Sequence, residues 1–143
     1  MIECMNPITA AEAAHQPLVT DSDVEQRVDA LIGRACRRQL WMLFTDEMHI
    51  QMPDLVAMDD YPTSPENGNA ELLAGRIGEW MARAEAAHVI FVWERRVGER
   101  FTPADRAWAR ALAHACREYG VSVRAQLISH RTGVRWFAPD DYA

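Results

Sequence analysis

Two short runs of almost uninterrupted apolar residues constrain this chain most: Leu40 to Phe44, within "QLWMLFTDE", and "HVIFVW", His88 to Trp93. A strand with one wet face alternates apolar and polar residues, because successive side chains point to opposite faces. Neither run alternates, and each is too short and too rich in aromatic or β-branched residues for a buried helix. Both therefore read as neighbouring central strands covered on both faces. A sheet buried in that way needs helices to cover it, so the fold class follows as α/β.

Helical patterns stand where that argument wants them. In "SDVEQRVDALIGRACRR", Ser22 and Glu25 have capping-box spacing, and Val24, Val28, Leu31, Ile32 and Ala35 form an apolar stripe. "HIQMPDLVAM" reads as one strand or two short ones, with Pro53 pointing to an edge or a bulge, and the turn from Asp46 to His49 closes a hairpin with the first run. Asp59 to Asn69, rich in Pro, Ser, Asn and Gly, predicts an irregular surface loop. Leu72, Leu73, Ile77, Trp80, Met81 and Ala84 mark a second helix capped by Asn69. A third starts at Thr102 with Pro103 in its first turn and ends at Gly120. "VSVRAQLIS", "HRTG" and "VRWF" then form a hairpin. The order predicts a single three-layer-like α/β domain over residues 22–143, with one mixed central sheet and flanking helices, preceded by a flexible leader over residues 1–21.

Composition narrows the chemistry. With 143 residues the expectation is one domain. No apolar run approaches the roughly 20 residues of a membrane span. The N-terminal stretch lacks the basic start and apolar run of a secretory signal, so a cytoplasmic location is expected. Fifteen basic residues are all arginine, which excludes Schiff-base, P-loop and general-base lysine chemistry; codon bias in a GC-rich genome explains the usage. The net charge of −6 disfavours nonspecific nucleic-acid binding, leaving "RACRR" and "ERRVGER" as local basic clusters. Cys4, Cys36 and Cys116 form no C-x-x-C pair, and an odd number fits a disulfide scaffold poorly. Cys36 and Cys116 read as small buried hydrophobes on helices.

Polar residues at strand ends and turns are the remaining candidates. Asp46, Glu47 and His49 in the first turn and His130 in the last suit turn composition, although a metal site built from His49, Glu94 and Asp105 is one alternative. His15, His88 and His114 read as incidental. Trp41, Trp80 and Trp108 fall in core patterns, whereas Trp93 and Trp136 lie near strand ends, where an indole can meet a ligand. No G-x-S-x-G elbow or glycine-rich phosphate loop is present.

Between Arg37 and Phe137 the order of motifs resembles the RadC branch of the JAB/MPN metalloprotease-like fold. In that family a strand ending in "LFLD" opens the domain, and a later apolar strand ends in H-x-H-P-x-G, followed by S-x-x-D at the next helix. Here "LFTD" spans Leu43 to Asp46, the apolar strand ends at Trp93, Gly98 takes the glycine position and Thr102 to Asp105 reads T-P-A-D. The resemblance implies a zinc hydrolase fold, but Trp93 and Arg95 fall on the two histidine positions. Arg37-Arg38-Gln39 stands where the family's catalytic glutamate is expected. Asp105 alone is a potential ligand, against the three protein ligands a catalytic zinc typically has.

The sequence thus leans away from an enzyme. It points to a catalytically inactive, metal-free and cofactor-free JAB/RadC-like domain that binds a protein or small ligand. Its groove candidates are Trp93, Glu94, Arg95, Thr102 and Asp105; Asp46, His49 and His130 rank below them. The alternative is a divergent hydrolase, of metallopeptidase or nuclease type, with noncanonical ligands. Self-association is left open. The sharpest expectation is an ion pair between Arg95 and Asp105 across the vacated metal position, with Trp93 closing one side.

Overall fold

The two apolar runs are antiparallel neighbours inside one five-stranded sheet. In the computed structural model, which describes residues 16–142, the elements run α1 (Asp21–Leu31), β1 (Gln39–Thr45), β2 (Gln51–Met58), α2 (Asn69–Ala84), β3 (His88–Glu94), α3 (Pro103–Glu118), β4 (Val123–His130), β5 (Gly133–Trp136) and α4 (Pro139–Tyr142). The strand order is β2-β1-β3-β4-β5, and β3 and β4 form the parallel pair, joined through α3. This is a mixed α/β arrangement with helices on both faces.

Alternate residues of the two runs divide between two cores, which is why neither run alternates in polarity. Leu40, Met42, Phe44, Phe91 and Trp93 pack with α2 and α3, against Ile77, Met81, Trp108 and Leu112. Leu43, Ile90, Val92 and Leu127 face the other way and pack with Val24, Val28 and Leu31 of α1. Cys116, fully buried, is a packing residue as expected, and burial pushes its thiol up to about 12.

Local boundaries differ from the sequence reading in several places. The capping box of α1 is Thr20 with Asp23, two residues earlier than Ser22 with Glu25. The helix stops at Leu31 because Gly33 turns the chain at φ 61, a conformation that side chains disfavour, so Ala35 and Cys36 lie in a loop. Cys36 is disulfide-bonded rather than a free thiol on a helix. Asn69 is the first residue of α2, whose N-cap is Gly68 with no side-chain bond, and Leu72 is exposed. Residues 1–15, and with them the expectations for the leader, Cys4 and His15, lie outside the described residues. Residues 16–20 are held: Leu18 is buried and its amide donates to the His49 carbonyl at 2.7 Å.

Other expectations agree. β2 is an edge strand, and the register irregularity between Leu43 and Thr45 falls opposite the segment containing Pro53, where a missing N–H costs the ladder nothing. Thr102 caps α3 and Pro103 occupies its first turn. The loop from Asp59 to Asn69 is tied down more firmly than its composition suggests. Arg38 lies 3.7 Å over the Tyr61 ring and donates to the carbonyls of Tyr61 and Pro62. The Trp108 indole donates to Pro62 as well.

Candidate functional site at the β3 end

β3 ends against the first turn of α3, so the side chain that leaves the strand toward that face meets the helix cap. That side chain is Arg95. Its Nε lies 3.3 and 3.2 Å from the two carboxylate oxygens of Asp105, and its Nη2 lies 3.1 Å from Oδ2. The Gly98 carbonyl accepts from Nη1 at 3.0 Å and the Arg100 carbonyl from Nη2 at 2.8 Å. The expected ion pair is present, and it is shielded: the two side chains are 9% and 11% exposed.

Asp105 has a second task in the same place. Its Oδ2 accepts from the Thr102 amide at 2.8 Å while the Thr102 hydroxyl accepts from the Asp105 amide, completing a capping box. Helix capping and the ion pair are thus one structure. The positive end of the α3 dipole and the guanidinium act on the same carboxylate. Gly98 is not required for space, since an added Cβ there would meet nothing within 4 Å. It contributes its carbonyl.

Glu94 turns to the opposite face. Its carboxylate accepts from the backbone amides of Cys36 and Arg37 at 2.6 and 3.0 Å, and from the side chains of Gln39 and Trp41 at 2.7 and 2.8 Å. A carboxylate does meet the stretch where the resemblance places a catalytic glutamate, but β3 supplies it. It is buried and saturated by four donors, which suits a clamp on the loop entering β1 and not a base open to substrate.

The remaining candidates disperse. Trp93 is core, 3% exposed, with its indole donating to Gln126 at 2.7 Å and its ring among Tyr61 and Trp108. Asp46 organises the first turn by accepting from the Met48 and Ile50 amides. His49 stacks on His88, with centroids 5.4 Å apart. His130, at the end of β4, accepts from the Thr132 amide through Nδ1, and burial followed by the Arg95 charge lowers its pKa. Among the described residues no three His, Cys, Asp or Glu side chains form a group able to hold a metal, and His49, Glu94 and Asp105 do not converge.

Three of the groove candidates thus sit inside the molecule, Trp93, Glu94 and Arg95 all being under a tenth exposed, while Thr102 and Asp105 are half-buried. What they leave at the surface is the loop Arg96 to Arg100, exposed throughout. Its carbonyls at 98 and 100 hang on Arg95, and the Val97 carbonyl accepts from the Arg131 amide at 2.9 Å. The role of Glu94 was missed from sequence, because half of its partners are backbone amides that no residue type reveals. No helix is long and apolar enough to cross a membrane among the described residues. Compared with protein-family models, with curated proteins and with solved structures, the chain finds no match.

Proposed function

We propose that this chain is a JAB/RadC-like domain in which an arginine–aspartate pair has replaced the metal centre, and that it acts as a binding module rather than a hydrolase. The observation that carries the reading is the Arg95–Asp105 pair. It joins a strand-end residue to a helix-cap residue, the two places from which the family draws its metal ligands. Zinc does not fit there. A guanidinium cannot ligate a cation, and the Asp105 carboxylate is already engaged by Arg95 and by the Thr102 amide.

A fixed cation at that point holds the loop Arg96 to Arg100 by its carbonyls and so presents an ordered surface without metal. The partner is a protein or a small ligand contacting that loop. Elemental analysis of protein purified without chelator, with a zinc titration followed by calorimetry, tests the reading. Far less than one zinc per chain and no saturable heat are expected. About one zinc per chain, lost on Asp105→Ala, would overturn it and favour a hydrolase with noncanonical ligands.

A further inference from the structure

A separate feature lies at the far edge of the sheet. β5 covers β4 only from Leu127 to His130, so the first half of β4, paired with β3 on its inner side, has no strand on its outer side. The step leaves a cavity of about 590 Å³ between that edge, α3 and α4, within the range of small-molecule sites. Arg110 and Arg117 of α3 line it together with Arg124, Gln126, Trp136 and Tyr142. Among the described residues no Asp or Glu lines it. In a chain of net charge −6, that local imbalance is the signal.

The three arginines differ in what they already hold. Arg124 is neutralised by Asp21 at 2.9 Å and also donates to the Val19 carbonyl. Arg110 donates from its Nε to the Tyr142 carbonyl at 2.9 Å, which fixes its position, and among the described residues its terminal nitrogens have no partner. Arg117 has no ion-pair partner among the described residues, and both it and Arg110 are exposed. Seven positions apart on α3, they stand two turns along one face. The Gln126 carbonyl already accepts from the Phe137 amide at 2.9 Å, so the uncovered edge of β4, Val123 to Ala125, is too short to seat an added strand of ordinary length, which favours a compact ligand over an extended peptide.

We infer that this notch binds a small anionic ligand with a flat apolar body, its carboxylate or phosphate held by Arg110 and Arg117 and its ring against Trp136 and Tyr142. Guanidinium groups suit both anions because each can donate two parallel hydrogen bonds. The inference stands apart from the β3 site and survives if that reading fails.

Fluorescence titration with 8-anilinonaphthalene-1-sulfonate, alongside its uncharged analogue N-phenyl-1-naphthylamine, tests it. Saturable 1:1 binding of the sulfonate is expected, weakened about tenfold or more in Arg110→Gln/Arg117→Gln, since both charged donors are lost. Arg76→Gln, on α2 and away from the notch, should leave binding unchanged. Benzoate or phenyl phosphate should displace the probe, and benzyl alcohol should not. Sulfonate affinity unchanged in the double variant, equal binding of the neutral analogue, or no displacement by either anion would each overturn the assignment.

Discussion

Arg95 commits four of its five N–H groups, to Asp105 and to the carbonyls of Gly98 and Arg100. Removing either partner strands a poorly solvated charge, so Arg95→Ala and Asp105→Ala should each cost about 3 kcal/mol or more. Asp105 also caps α3, so its single substitution mixes two effects. The double-mutant cycle isolates the pair, and denaturant unfolding should return a coupling of about 2 kcal/mol; zero coupling would reduce Asp105 to a cap. Glu94→Ala removes the common acceptor of four donors and should destabilise by about 3 kcal/mol or more on the same assay. A loss under about 1 kcal/mol would mean that water takes over those donors. The first pair was legible in the sequence because a capping motif and a strand end announce themselves locally. The Glu94 clamp was not: Cys36 and Arg37 lie 58 and 57 residues away and offer only their amides.

Elements were legible where a single physical signal dominates. β1 and β3 declared themselves by continuous burial, and α3 by Thr102 and Pro103. The ends of α1 were misread because two overlapping cap patterns, Thr20/Asp23 and Ser22/Glu25, both have the right spacing. Only the packing of Leu18 and Val24 decides between them. α1 has 11 residues, too few to persist alone in water, so its helicity depends on docking. Among the described residues its deep polar tie is Arg27, buried and bonded to Gln51 at 2.6 Å and to the Gln16 carbonyl at 2.6 Å. Native-state hydrogen exchange should therefore rank α1 amides well below those of β1 and β3 in protection. Val28→Ala, which costs about 1–2 kcal/mol of buried contact, should speed exchange in α1 by about tenfold or more and leave α3 unmoved. Uniform exchange across all three would show that α1 opens only with the whole fold.

At the scale of the molecule, the two faces of the sheet are covered unequally. Two long helices, α2 and α3, share one face and pack against each other, whereas among the described residues α1 is the helical cover of the other. The α/β class and the mixed sheet were legible from the two apolar runs. The unequal division was not, because hydrophobic patterning says that a face is covered but not by how much. The notch beside β4 was equally hidden: it arises from a difference in strand length, Val123–His130 against Gly133–Trp136, rather than from any motif.

That imbalance bears on how the protein fails. When α1 lifts, Leu43, Ile90, Val92 and Leu127 come into contact with water as one continuous apolar sheet face, bordered by the unpaired edge of β2. A sticky face beside an open strand edge is the geometry through which chains join one another, so a partly opened molecule meets others of its kind before it finishes unfolding. Inactivation on heating should therefore quicken with protein concentration, through opening of the short helix at Asp21–Leu31.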